Sequence, residues 1–419
     1  MKKSSWLAGL VTGSLLFLIL QSSTTTNGGL GSHLTAFLIP VIAPSQYVST
    51  GIKSNSEKSI VSISTPHALP TLQETAQNAF MKTVTPGHSS TIIPQSLNQK
   101  DTTSPIASKQ PSSTDTKDEQ HPALFSITLH MSEQDVLDKL GKPDRQEPSP
   151  LGYVWWVYQK NADRYVQVGF REGMVVDVFS NGPKASLTPD IKIGTSYDTV
   201  KRMQEPKKIV SFSYEDTFIE VTNDLEERIL LMMKESPAIL YLDKHNQQKI
   251  TGIRLIDKLV LIQGGFYETK WSYTGKDPNF NPPPLSASDQ SKINLAMEQQ
   301  ILDLTNVFRY RYQVPALKWS EGAATTARQH SYDMRTNNFF DHVSATTGQN
   351  PFDRLKENGV RYQRAGENIA AGFPDAIEAY QSWLNSLGHR KNVLEKEFKE
   401  LGVGVSHDFY TQNFVTPLQ

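Results

Sequence analysis

The chain has 419 residues, with 42 Lys and Arg against 43 Asp and Glu, and no Cys. A net charge of −1 with no basic stripe excludes the electrostatic footprint of a nucleic-acid binder. The lack of Cys excludes thiol nucleophiles, thiolate metal sites and disulfide staples, so folded parts must be held by their cores.

Lys2 and Lys3 precede an uncharged run at residues 6–20. A secretory signal wants an apolar core of roughly 7–15 residues and a spanning helix about 20. Residues 1–43 are therefore expected to act as a signal peptide, or as a membrane anchor if they are retained. No A-x-A site follows, and a second apolar stretch at 34–43 is short and interrupted by Pro40. Either reading engages the membrane at least transiently and places the rest of the chain outside the cytoplasm.

Residues 44–120 have a different composition. Ser, Thr, Pro and Gln supply 39 of these 77 residues, and apolar residues show no sustained period. Such a segment cannot bury enough apolar area to offset the entropy of ordering it, and is expected to be a disordered spacer.

Globular patterning begins at Leu124. Ser132 stands where a helix N-cap belongs, with Asp135 three residues on, an apolar face through Val136, Leu137 and Leu140, and Gly141 as the stop. Strands are expected at 153–158, 165–170 and 174–179. The pattern restarts at Ile191, where the segment through Val200 parallels residues 127–136. Further strands are expected at 209–214, 218–221, 239–242 and 250–256. Residues 124–270 read as one α+β domain of two helix-plus-sheet repeats. Residues 271–285, with Pro282, Pro283 and Pro284 in succession, read as a semi-rigid linker.

The last domain is expected at 286–419. Helical spacing predicts helices over 297–310, 323–334 and 374–384, and strands over 401–405 and 410–415. Helices alternating with strands give a layered α/β unit. Three strings stand out here: Phe339-Phe340-Asp341-His342, Gly366-Glu367-Asn368-Ile369-Ala370, and Trp383-Leu384-Asn385-Ser386-Leu387-Gly388-His389-Arg390.

These strings resemble the CAP superfamily of cysteine-rich secretory, venom-allergen and pathogenesis-related proteins. So do Val314-Pro315-Ala316-Leu317-Lys318-Trp319 and Pro351-Phe352-Asp353-Arg354, and the resemblance runs from Met297 to Phe414. Residues 124–270 are similar to the extracellular domain that often precedes bacterial CAP domains. The resemblance implies a three-layer α-β-α sandwich with a central cleft lined by two His and two Glu. Carried over, these are His342, Glu367 and His389. Ser386 stands where the second Glu belongs, so the set is incomplete, and the missing Cys departs from the disulfide-rich eukaryotic branch.

Two imidazoles and a carboxylate could hold zinc or another divalent cation with water in the fourth position. Their sequence gaps match no short metal motif. The plainer alternative is a hydrogen-bonded cluster that braces loops. A hydrolase would use Ser386 as nucleophile, His389 or His342 as base and Glu367 as the orienting acid, although Ser386 lacks a G-x-S-x-G setting. Trp383 reads as core, Arg354 and Arg390 as solvated or ion-paired although either could bind an anionic group, and Asn368 is expected to tie down its loop by bonding backbone. Three functions stay open: a binding protein of the cell envelope taking a peptide, glycan or lipid; a metal-assisted or Ser-dependent hydrolase of peptide or cell wall; and a structural spacer.

Overall fold

The computed structural model describes residues 49–53, 58–63, 121–274 and 278–418. The expected signal or anchor and most of the expected spacer lie outside them. Two strands, β1 (Ser49–Lys53) and β2 (Lys58–Ile63), fall inside the span read as spacer. The β-branched Ile60, Val61 and Ile63 suit a strand, and pairing along a sheet edge supplies the backbone partners that a free spacer lacks.

Helix α1 (Glu133–Leu140) starts as the sequence predicts. The Ser132 hydroxyl accepts from the Asp135 amide while the Asp135 carboxylate accepts from the Ser132 amide. Gly141 closes the helix at a positive φ of 76°, which a side chain would resist. Four strands follow: β3 (Arg145–Pro148), β4 (Val154–Tyr158), β5 (Val166–Arg171) and β6 (Met174–Ser180). The second repeat opens with α2 (Tyr197–Met203), capped by Ser196. It continues through β7 (Ile209–Tyr214), β8 (Thr217–Thr222), β9 (Arg228–Met233), β10 (Ser236–Asp243) and β11 (Lys249–Ile256). Helix α3 (Lys258–Gln263) and β12 (Thr269–Thr274) complete this half.

The two repeats do not form separate sheets. β3-β4-β5-β6-β11-β10-β9 make one antiparallel sheet that draws on both, and β1-β2-β12-β8-β7 make a second. Val136 of α1 and Val200 of α2 pack with Val168, Val178 and Leu240 of the larger sheet. β12 extends four residues into the span read as linker. The alternating Trp271 and Tyr273 pair with β8, and Trp271 is buried.

Helix α4 (Ala287–Arg311) is capped by Ser286 and starts ten residues earlier than periodicity predicts. Then come β13 (Lys318–Trp319), α5 (Glu321–Thr336), α6 (Pro351–Glu357), β14 (Tyr362–Ala371), α7 (Ala376–Asn385), α8 (Leu387–Leu394), β15 (Glu400–Ser406) and β16 (Phe409–Pro417). The sheet order is β13-β15-β16-β14. Helix α5 lies directly on one face: a Cβ on Gly402 or Gly404 would fall 2.0 Å from the backbone nitrogen of Ala324 or Arg328. Ile301, Leu304, Trp383 and Val393 of α4, α7 and α8 cover the other face with Val403, Tyr410 and Phe414. This is the expected α-β-α sandwich.

The same core crosses from one half of the chain to the other. Trp155, Phe179, Ile239 and Tyr241 of the larger antiparallel sheet join Phe308 of α4 and Ile377 and Tyr380 of α7. Phe280 of the linker stands edge-on to Trp271. Charges seal the contact. Arg254 of β11 is fully buried, 2.7 Å from Asp177 of β6 and 2.8 Å from Asp375, the N-cap of α7. Arg228 of β9 and the Tyr241 hydroxyl both donate to Glu378 of α7. Arg145 bridges Glu147 to Asp303 of α4.

Removing one partner of a buried pair costs about 3–5 kcal/mol, because the remaining charge is stranded. Arg254→Ala is therefore expected to lower the unfolding free energy by roughly that amount in urea titrations. A loss below about 1 kcal/mol would mean that Asp177 and Asp375 are not held by this cation.

Candidate functional site

Three segments meet at one end of the sandwich: the loop after α5, strand β14 and the α7–α8 corner. Glu367 and Asn368 are successive residues of β14, so their side chains leave on opposite sides. Glu367 is 4% exposed; its Oε1 lies 2.8 Å from Nδ1 of His342, and its Oε2 accepts from Arg354 of α6 at 2.7 Å. Arg354 also donates to the carbonyls of His342 and Gln349, which ties the His342 loop to the strand. Ser344 and Thr346 of that loop donate to Asp333 of α5.

The Asn368 amide donates to the His389 carbonyl at 3.2 Å and to Gln412 at 3.0 Å, and accepts from Asn392 of α8 at 2.9 Å. It binds backbone as expected, but from a strand rather than a loop. These bonds fix α8 against β14 and so place His389.

Burial alone would raise the Glu367 carboxyl, but Arg354, His330 and His342 together hold it down at about 2. His389 is 8% exposed; burial, with His342 nearby, pushes its imidazole down to about 3. Among the described residues its Nε2 has no hydrogen-bond partner. His389 lines a small pocket of about 60 Å³ with Phe340, Ile369, Ala370, Ser382, Trp383 and Ser386. The Trp383 indole donates to the Ile369 carbonyl, so this residue is both core and pocket wall.

His330 lies on the buried face of α5, within the helix expected at 323–334, and its sequence pattern alone points to no role in the site. Its Nε2 lies 2.9 Å from the Asp341 carbonyl, immediately before His342, and burial pushes its pKa down to about 4. The available signal was a single imidazole among small residues on a buried helix face. Of the readings open for Arg354, the structure has it buried and ion-paired, and its partner is the site carboxylate itself.

Of the donors expected for zinc, Glu367 and His342 are already bonded to each other. Both Glu367 oxygens are taken by His342 and Arg354. Among the described residues no three His, Asp or Glu stand together in a metal-holding arrangement. The hydrolase set is divided as well. Glu367 orients His342 and not His389, and among the described bonds the Ser386 hydroxyl reaches neither imidazole.

A four-stranded sheet between helices, with a His–Glu pair and a second His at the cleft, defines a CAP-type domain. The chain belongs to the cysteine-rich secretory protein family: residues 302–416 match that family, and residues 129–267 match the CAP-associated N-terminal family. It is 37% identical over 284 residues to the uncharacterized membrane protein YlbC of Bacillus subtilis (strain 168), covering 67% of this chain and 80% of that protein. The uncharacterized protein YkwD of the same organism is 42% identical over 122 residues, covering 29% of this chain and 47% of that one. The crystal structure of an extracellular protein with an SCP domain from Bacillus anthracis is similar at a TM-score of 0.65 and 34% identity, covering 74% of this chain and 99% of that one. A cysteine-rich secretory protein from Staphylococcus aureus, 21% identical, shares the fold at a TM-score of 0.59 over 71% of this chain and 94% of its own. Among the described residues no helix is long and apolar enough to cross a membrane.

The buried histidines make stability depend on pH. Below an ordinary pKa of 6.5 the unfolded chain protonates His330, whereas the folded chain resists until about 4. Acid therefore favours unfolding across that window. The melting temperature is expected to fall from pH 6.5 to pH 4, and His330→Gln, which keeps a donor for Asp341, to flatten the slope. An unchanged slope in the variant would show that His330 does not carry it.

Proposed function

We propose that this is an exported CAP-domain protein whose cleft binds a ligand without turning it over, and that the ligand is a peptide segment with a small apolar side chain. The observation that carries this reading is His389: a buried imidazole nitrogen without a partner, at the edge of a mostly apolar pocket. A buried polar atom left unpaired is costly, and a ligand peptide group would satisfy it. About 60 Å³ suits an Ala or Val side chain and is far below the several hundred Å³ usual for drug-sized ligands. The paired His342, Glu367 and Arg354 supply a polar cluster in the same cleft.

The test is a binding panel of short Ala- and Val-containing peptides, N-acetylated oligosaccharides and anionic lipid vesicles, followed by NMR of the histidine side chains. Peptides alone are expected to shift His389. Ser386→Phe, which fills the pocket, is expected to weaken that binding at least about tenfold, or 1.4 kcal/mol. Oligosaccharide or vesicle binding at His389 in place of peptide would overturn the ligand class.

Zinc calorimetry separates this reading from a metal centre. No stoichiometric heat that His342→Ala/His389→Ala removes is expected. Stoichiometric uptake lost in the double variant would reinstate a metal-assisted hydrolase as the function to screen.

A further inference from the structure

The first domain reaches into the wall of this cleft. Helix α8 is poorly specified by its own sequence. Its N-cap, Ser386, makes no side-chain bond to the helix amides, although such a bond is what usually anchors a helix start. Its far end is held within its own domain: Arg309 of α4 donates to the carbonyls of Val393 and Glu395 at 2.8 and 2.9 Å. Its start is held from two sides: from within by Asn368, which bonds the His389 carbonyl, and by Arg390 donating to Leu384 and Tyr312, and from the first domain by the bonds that follow.

The end of β10 and the turn after it supply three consecutive residues to this task, Asp243, Lys244 and His245. Asn385, the last residue of α7, receives the Lys244 amide on its Oδ1 at 3.1 Å and donates its own amide to the Leu242 carbonyl at 3.0 Å. The His245 ring sits 3.0 Å from the Asn385 carbonyl. Arg390 of α8 donates to Asp243 at 2.9 Å, and Tyr312, at the end of α4, donates to the same carboxylate at 3.1 Å. Asp243 is 1% exposed and Arg390 7% exposed, so neither bond competes with water. Between the two clamped residues, Asn385 and Arg390, lie Ser386 and His389, two of the residues that line the pocket.

We infer that Asp243, Lys244 and His245 of the first domain are positioning residues for the cleft of the second, fixing the 385–390 corner and with it the place of His389. The first domain is thereby part of the site's construction, although none of these three residues lines the pocket. This inference concerns the unliganded wall and does not depend on what the cleft binds.

The experiment reads His389 directly. Full-length wild type, Asp243→Asn and His245→Ala are exposed to diethyl pyrocarbonate, and the rate of labelling of each histidine is followed by peptide mass spectrometry. His389 is expected to react about fivefold or more faster in Asp243→Asn and to rise less in His245→Ala, as local opening becomes easier. His330 and His342, held by bonds within their own domain, are expected to keep their wild-type rates. Unchanged labelling of His389 in both variants would overturn the inference. So would a parallel rise at all three histidines, which reports general loosening. Should Asp243→Asn fail to fold, His245→Ala decides alone, because its contact is at the surface. No ligand enters the assay, so its failure leaves the peptide-binding reading to its own test.

Discussion

Arg254 sits between two carboxylates, one from each half of the chain, with no exposure to solvent. Burial pushes Asp177 and Asp375 upward against the pull of the guanidinium, so the three groups are stable only together. Asp375 is also the N-cap of α7, accepting the Glu378 amide at 3.0 Å. The start of α7 is thus pinned to the first domain by an ion pair and its end by Asn385. Trp383, between these points, is held in one place as core and as pocket wall. The position of the cleft follows from that chain of contacts.

Within the cleft, charge is settled before any ligand arrives. Glu367 is ionised and paired with Arg354, and His330 and His389 are kept neutral by burial. Neutral imidazoles beside a compensated carboxylate can exchange hydrogen bonds with an uncharged ligand at little electrostatic cost. Each Glu367 oxygen already accepts one bond, from His342 and from Arg354.

The fold was legible where local chemistry and tertiary packing agree. Ser132 with Asp135, Ser196, and the alternating runs of β7 and β8 each announce their own element. The α8 corner was not legible: Leu387–Leu394 has no apolar stripe and no side-chain cap, and it is a helix because Arg309 and the first domain hold its ends. β9 was missed because Arg228–Met233 is mostly buried on both faces, which erases the period-2 signal. Strand β14 was missed because Ala, Gly and Asn are poor strand formers; its pairing with β16 overrides them. The site residues were legible as a set, since His342, Glu367 and His389 do converge. Their chemistry was not. The partner that matters most to Glu367, Arg354, comes from a short helix that periodicity did not reveal, and the bonds to Asn385 and Arg390 on either side of His389 come in part from a different domain.

The shared core also sets an order of events during synthesis. The first domain is complete in sequence at β12, yet the apolar face formed by Trp155, Phe179 and Tyr241 waits for α7, which starts about a hundred residues later. A growing chain must hold that face open, or shield it, until nearly the whole polypeptide has emerged. Cutting between the halves would expose that apolar face on one fragment and the matching face of α4 and α7 on the other.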